Sequence, residues 1–281
     1  MATKKDYENL LFKVEKKKTS ELTGLSTLAS RHSHATVMTE PDSGVEQVIA
    51  FVGKDYELVK NEDLLIPLHN ALKDEYDVGI KAAHNNYSQF EATFTIKDQG
   101  FNMGKGDEIF PQVKIQNSYD GRLRLKIKAG FYRLICSNGL TAPVGEEREL
   151  EGIHTASVTE IIEQYLDFVG EYVKISKSMV EVYKPLLDVK IDELMLEELI
   201  GDLTKGTKFP KRQIESAIDI MNFEAEQLKV KPNGWLLYNG LNNIIYDPET
   251  GLDMTKADKT DAIILDRLLL NARPFPFLPN A

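Results

Sequence analysis

Residues 109–140 read IFPQVKIQNSYDGRLRLKIKAGFYRLICSNGL and follow a regular two-residue pattern. Apolar side chains alternate with polar ones on both sides of the Asp120-Gly121 pair. Successive side chains of a strand point to opposite faces of its sheet, and an Asp-Gly pair between two alternating runs is typical of a hairpin turn. The stretch therefore predicts an antiparallel hairpin, and residues 131–136 (FYRLIC) predict a third strand that continues it as a meander.

The polar side of this predicted sheet is basic. In residues 122–128 (RLRLKIK), leucine and isoleucine alternate strictly with arginine and lysine. Six basic residues lie between Ile109 and Cys136, against Asp120 as the single acid: Lys114, Arg122, Arg124, Lys126, Lys128 and Arg133. Since the whole chain has a net charge of −10, the sequence predicts a concentrated positive stripe on an otherwise acidic protein.

Two interpretations of the positive stripe are open at this point. In the first, it is a solvated sheet face whose internal repulsion is relieved by neighbouring acids. In the second, it is a track for a polyanion, because charges two residues apart on a strand repeat every ~6.6 Å, a rough match to the phosphates of a stretched single strand. In that case we expect the six basic side chains to contact phosphates, and Tyr119 or Tyr132 to stack on bases.

Length and composition bound the class of protein. The chain has 281 residues, enough to bury a sizeable core. Its 42% hydrophobic content is typical of a globular protein, and no apolar run approaches the ~20 residues of a membrane span. Residues 1–18 lack the apolar core of a secretory signal. The single cysteine, Cys136, excludes an intrachain disulfide and fits a reducing compartment, so we expect a cytoplasmic protein without membrane contact.

The order of the predicted elements indicates the α+β class, with an antiparallel β-meander and a packing helix, followed by a mostly helical C-terminal half. We predict three regions. Residues 1–44 form an N-terminal arm that begins with a helix-like patch, residues 45–150 a β-rich α+β domain, and residues 151–281 a helical region that ends in a Pro/Phe tail.

Individual elements follow from periodicity and end signals. Besides the hairpin, alternation predicts strands over residues 45–52, 77–83 and 89–97. A helix is predicted to begin at Asn61 as its N-cap, and residues 146–151 are predicted to form an acidic loop. Further helices are predicted over residues 157–183, 190–203, 210–228 and 258–270, while residues 235–246 fit a helix or a strand, with the helix favoured.

Reaction machinery is not evident in the sequence. There is no Gly-x-Ser-x-Gly elbow, no His-Glu-x-x-His pair, no paired cysteine and no dinucleotide-binding glycine pattern. His32 and His34 lack the third and fourth ligands that zinc requires. We therefore expect no cofactor, no metal and no catalysis, while a metal-dependent nuclease built from scattered carboxylates stays an alternative.

Several segments resemble a phage- and plasmid-borne family known as domain of unknown function 932. The similarity covers about residues 45–150. It rests on VGKDY at 52–56 with Asn61-Glu62 after it, NSYDG at 117–121 and FYRLICSNGL at 131–140. The resemblance implies a bacteriophage or mobile-element setting and brings no settled activity.

The predicted architecture is also similar to the single-strand annealing superfamily, whose members form rings and lay single-stranded DNA along a basic groove. This likeness concerns the fold alone. Together these observations predict a phage or mobile-element protein that binds or anneals single-stranded nucleic acid. The alternative is a non-catalytic protein that binds a host factor. The apolar tail is predicted either to cover a groove of its own chain or to dock on a partner or another copy of the chain, through Pro274, Phe275, Phe277 and Leu278.

Overall fold

The computed structural model describes most of the chain. The described residues are 7–22, 32–40, 43–85, 87–105, 107–134, 141–206, 210–245 and 254–272. Cys136 and the predicted tail contacts at Pro274, Phe275, Phe277 and Leu278 lie outside these ranges, so what was predicted for them stays a prediction.

A three-stranded antiparallel sheet forms near the N-terminus. Its strands are β1 (Val14–Lys18), β2 (His34–Thr39) and β3 (Glu46–Val52), in the order β1-β2-β3. The predicted arm over residues 1–44 therefore contributes two strands, and its helix-like start is only a short 3-10 turn at Glu8–Leu10. The four central residues of β2, Ala35 to Met38, are all buried, which the low apolar content of the arm did not suggest.

The larger sheet has six strands in the order β4-β5-β7-β8-β9, with β6 paired to β7. Pairing of β4 with β5 and of β5 with β7 is antiparallel. The strands are β4 (Val78–Asn85), β5 (Gln89–Ile96), β6 (Phe101–Asn102), β7 (Glu108–Ser118), β8 (Leu125–Leu134) and β9 (Thr141–Gly152). The predicted hairpin is present as β7 and β8, and Gly121 supplies the left-handed turn conformation at φ 69°.

Three predictions about these strands are corrected by the structure. The segment 131–136 does not begin a third strand, because β8 continues without a turn through Gly130 to Leu134. Arg122 and Arg124 precede β8 and belong to the connecting loop. The acidic segment 146–151 is not a loop, since it lies inside β9. Because alternate residues of a strand share a face, Glu149 and Glu151 lie on the same face of the sheet.

Six α-helices are present in the described residues, and the mostly helical C-terminal half confirms the predicted α+β class. They are α1 (Asn61–Lys73), α2 (Val158–Val180), α3 (Glu193–Gly206), α4 (Lys211–Leu228), α5 (Gly234–Ile245) and α6 (Met254–Ala272). Asn61 is the first helical residue and not the N-cap, which is Lys60 without a side-chain hydrogen bond. The Asn61 amide instead bonds to buried groups described below.

The chain divides into two compact units that are discontinuous in sequence. The first unit comprises Met1–Gln99, Pro111–Ala129 and Arg148–Lys174. Its core joins the apolar faces of α1 and α2 to the apolar side of the large sheet. Fully buried residues there include Leu64, Leu68, Phe94, Val113, Ile115, Leu125, Ile127 and Tyr165. Burial of each such side chain stabilises the fold by about 1.5–3 kcal/mol.

The second unit comprises Gly100–Phe110, Gly130–Glu147 and Ile175–Ala281. Helix α5 lies at its centre, and all of its residues except Asn243 and Ile244 are buried. Trp235 and Tyr238 of α5 pack against Tyr183, with ring centroids 6.1 and 5.6 Å from it. These units do not coincide with the contiguous regions drawn from the sequence.

Candidate nucleic-acid interface

The outward face of the large sheet in the first unit carries cations from three strands. Lys81 of β4 and Lys114 of β7 both lie opposite Thr93 of β5, so the three residues share one face. On β8, Leu125 and Ile127 are buried, while Lys126 and Lys128 are partly exposed on the other parity. We call this surface the cationic face, and its residues are Lys81, Lys114, Arg124, Lys126 and Lys128.

Glutamates of β9 partly neutralise the cationic face. Glu151 accepts hydrogen bonds from Arg124 and Lys126, each at 2.6 Å, and Glu149 lies 3.6 Å from Lys128. Lys126 contacts Glu151, and Lys128, two residues later on β8, contacts Glu149, two residues earlier on β9. The two strands therefore run antiparallel. The hydrogen bond from Lys126 and then that from Arg124 lower the pKa of Glu151. Neighbouring acids thus relieve the repulsion within the stripe, as the first interpretation requires.

The loop before β8 presents a further arginine to solvent. The Arg122 side chain is 80% exposed, and its Nε lies 3.9 Å from Asp120. The Asp120 carboxylate is held in turn by the Arg122 backbone N–H at 2.9 Å and by the Gln89 amide at 3.0 Å. Such an arginine in a fixed loop is well placed to contact an anion.

Arg133, the sixth predicted phosphate contact, is buried in the second unit. It donates two hydrogen bonds to Asp107, at 2.6 and 2.8 Å, and one to Glu224 at 2.6 Å. Trp235 Nε1 also donates to Asp107, at 2.7 Å. Burial by itself would lower the pKa of Arg133, but the hydrogen bonds and charges of Asp107 and Glu224 outweigh it and raise the pKa. Arg133 therefore serves the core, and we leave it out of the interface.

The two tyrosines predicted to stack on bases are also buried, each with about 1% of its surface exposed. Tyr119 Oη accepts a hydrogen bond from the Asn61 backbone N–H at 3.0 Å, and burial raises the Tyr119 pKa. Tyr132 lies on β8 among buried neighbours. Neither ring is on the surface of this structure, so neither belongs to the interface.

Two features of the face were missed by sequence reasoning. Lys81 was not assigned, because a strand has two faces and only its pairing with Thr93 shows which one Lys81 occupies. Glu149 and Glu151 were read as loop residues. The alternation Glu149-Leu150-Glu151 was the signal that could have predicted a strand there.

A buried polar cluster joins the resembling segments 52–56 and 117–121 to Asn61. The Asn117 amide donates to Val59 O and to Asn61 Oδ1, both at 2.9 Å, and the Asn61 amide donates to Leu10 O at 3.2 Å. Tyr56 Oη donates to Ser118 O at 2.8 Å. Buried polar groups must be hydrogen-bonded, and here they hold the end of β7 to the start of α1.

His154 closes the same cluster. Its ring stacks on Tyr56 with centroids 5.1 Å apart, and its Nδ1 lies 3.2 Å from Glu57 O, which fixes that nitrogen as the donor. Its buried Nε2 has no hydrogen-bond partner. Burial lowers the pKa of His154. The arrangement favours a neutral imidazole that secures two loops.

The described part of the chain lacks two features that would indicate a bound metal or a membrane span. It contains no group of three or more His, Cys, Asp or Glu side chains that could hold a metal ion. Among the described helices, none is long and apolar enough to cross a membrane.

Comparisons with known proteins give one match. The family model described as "Domain of unknown function (DUF932)" matches residues 48–245, which is more than two thirds of the chain and agrees with the resemblance seen in the sequence. No curated protein and no solved structure matches.

Proposed function

The chain belongs to the DUF932 family, and we propose that this member binds single-stranded nucleic acid through the cationic face and Arg122. The observation that carries the proposal is the presence of cations from three strands on one sheet face. We propose further that the protein holds single strands for protection or annealing, in the cytoplasm of a bacterium that carries a phage or mobile element.

The cations of this surface outnumber its carboxylates, and their ion pairs with glutamate are weak enough for a phosphate to replace the glutamate. In the described part of the face, five cations stand against the carboxylates Glu91, Glu149 and Glu151. Ion pairs between exposed groups are worth about 0–1 kcal/mol, so a phosphate can take the place of a glutamate. A localised positive field decides association more than the total charge of −10.

Fluorescence anisotropy of a labelled oligothymidylate tests the proposal. The test protein carries Arg122→Glu, Arg124→Glu and Lys126→Glu. A charge-matched control carries Lys184→Glu, Lys211→Glu and Arg212→Glu, at exposed positions of the second unit. We expect binding that the test variant loses and the control keeps. Equal binding by both variants would overturn the proposal.

A second candidate function is binding of a host protein. Two large apolar side chains of the second unit favour it, because Leu194 is 67% exposed and Phe223 is 62% exposed. A pull-down from host lysate with Leu194→Ser and Phe223→Ser proteins separates the two functions. Loss of a captured protein by these variants, with unchanged oligonucleotide binding, would favour the host-factor function.

A further inference from the structure

We propose that Tyr87 is a base-stacking site that gives the interface its preference for single strands. The proposal rests on the proposed function and names the part of the ligand that the cationic face does not read. Tyr87 lies in the turn between β4 and β5, in the first unit, and was not singled out in the sequence.

Three aromatic side chains build the site. The Tyr87 ring stacks on His84 with centroids 4.4 Å apart and planes inclined by 24°. Phe12 meets the Tyr87 ring edge-on at 5.3 Å, and Phe12 itself packs on buried Phe90 at 5.8 Å. We call Phe12, His84 and Tyr87 the aromatic platform. Its anchoring to the core limits the rotamer freedom that Tyr87 would otherwise lose on binding a ligand.

The Tyr87 ring is held in place but is not buried. It remains 37% exposed, which is high for a large aromatic side chain packed against two other rings. Its backbone is left-handed, with φ 55°, a conformation that bulky residues rarely adopt. The Tyr87 N–H lies 3.4 Å from His84 Nδ1, which fixes that nitrogen as an acceptor. A strained backbone conformation persists where function or packing requires it. Tyr87 is not buried, so burial does not explain its left-handed backbone.

The aromatic platform is next to the loop that carries Arg122. Tyr119 N–H donates to Ser88 O at 2.7 Å, and the Gln89 amide donates to Asp120, the same carboxylate that contacts Arg122. Tyr87 precedes Gln89 by two residues, which spans at most ~7 Å of chain. The exposed ring and the exposed guanidinium therefore lie on two loops that are hydrogen-bonded to each other. Single-strand binding proteins combine aromatic rings for the bases with cations for the phosphates in this way.

This arrangement selects single strands by chemistry. Bases of a duplex are already stacked on their neighbours, so their faces are not available to a protein ring. Every base has a π-face, so stacking on Tyr87 tolerates any sequence. The ligand class is therefore a single-stranded polynucleotide with accessible bases.

The test compares two oligonucleotides of equal charge. One is a labelled 15-residue oligothymidylate, and the other is an abasic strand with the same number of phosphates. We expect Tyr87→Ala to weaken binding of the oligothymidylate by about 5- to 150-fold, the range measured for loss of one stacking ring, and to leave abasic binding unchanged. Tyr87→Phe keeps the ring and should bind as the wild type does. Tyr87→Gly removes the ring and tolerates the positive φ, so it should match Tyr87→Ala without straining the turn.

The outcomes separate the stacking site from the cationic face. Equal oligothymidylate binding by wild type and Tyr87→Ala overturns the stacking site, and salt-sensitive abasic binding would leave the cationic face standing. An equal loss of both oligonucleotides in Tyr87→Ala also overturns it, because that is a general structural effect. If wild type binds oligothymidylate through Tyr87 but the triple glutamate variant binds equally well, the cationic face fails and the stacking site holds. No binding of either strand overturns both.

Discussion

At the scale of single residues, burial decides what each predicted contact does. Arg122 and Arg133 are both arginines of the same basic stretch, yet one is 80% exposed and the other is paired inside the core. The sequence showed their charge and parity. It could not show that Asp107 and Glu224, distant in sequence, surround Arg133. Long-range pairing of this kind is set by the fold.

Arg133→Ala is expected to destabilise the second unit by about 3–5 kcal/mol, because it leaves the buried Asp107 and the partly buried Glu224 without their cation. Urea unfolding followed by fluorescence of Trp235, the chain's only tryptophan, measures the loss. Trp235 donates to Asp107, so its emission reports this site directly. A change below about 1 kcal/mol would contradict the structural role of Arg133.

His154 is expected to make stability depend on pH. Burial lowers its folded-state pKa, so the unfolded chain binds the proton more readily than the folded chain does. Its contribution is therefore present above the unfolded pKa of about 6.5 and is lost as the pH falls through that value toward the folded pKa. The thermal midpoint of the wild type should fall between pH 7.5 and pH 5.5. His154→Phe keeps a ring against Tyr56 and should show a shallower fall, whereas an identical fall would contradict the assignment.

At the scale of elements, local patterns predicted most of the fold. Alternation located the β7–β8 hairpin and its Asp120-Gly121 turn, and helical periodicity located the helices of the C-terminal half. The errors arose where a local signal was given too much weight. A new strand was predicted to begin directly after Gly130, but a glycine can also continue a strand, as Gly130 does in β8. Asn61 was predicted to be an N-cap, but its side-chain oxygen accepts a hydrogen bond from Asn117 and its side-chain nitrogen donates one to Leu10 O.

Pairing between β8 and β9 sets the strength of the proposed interface. Glu149→Gln with Glu151→Gln removes the two carboxylates that pair with Arg124, Lys126 and Lys128. We expect affinity for oligothymidylate to rise by about 2- to 10-fold, the size of one or two exposed ion pairs. Anisotropy measures it.

The matched control for this pair is Glu181→Gln with Glu215→Gln, two exposed carboxylates paired with lysines in the second unit. It makes the same change in total charge. An equal rise in the control would show that net charge, and not the carboxylates of β9, sets the affinity.

At the scale of the whole molecule, the match to the DUF932 family identifies the family of the chain but assigns it no activity. The resembling segments 52–56 and 117–121 come together with Asn61 as the buried polar cluster, so this part of the resemblance concerns residues that hold the first unit together. The discontinuous units could not be predicted from the sequence, because β7, β8, β9 and α2 each pass from one unit to the other. A sequence scanned in order suggests contiguous domains.

We propose that this acidic protein binds phosphates on one face of a sheet, and the salt dependence of its affinity for a single strand is the direct test. Each phosphate contact on a single strand contributes about −0.7 to the slope of log affinity against log salt. The cationic face with Arg122 predicts a slope of about −3 to −4, and the Arg122, Arg124 and Lys126 triple glutamate variant should flatten the slope by about 2. A wild-type slope near zero, or the same slope in both proteins, would contradict the claim.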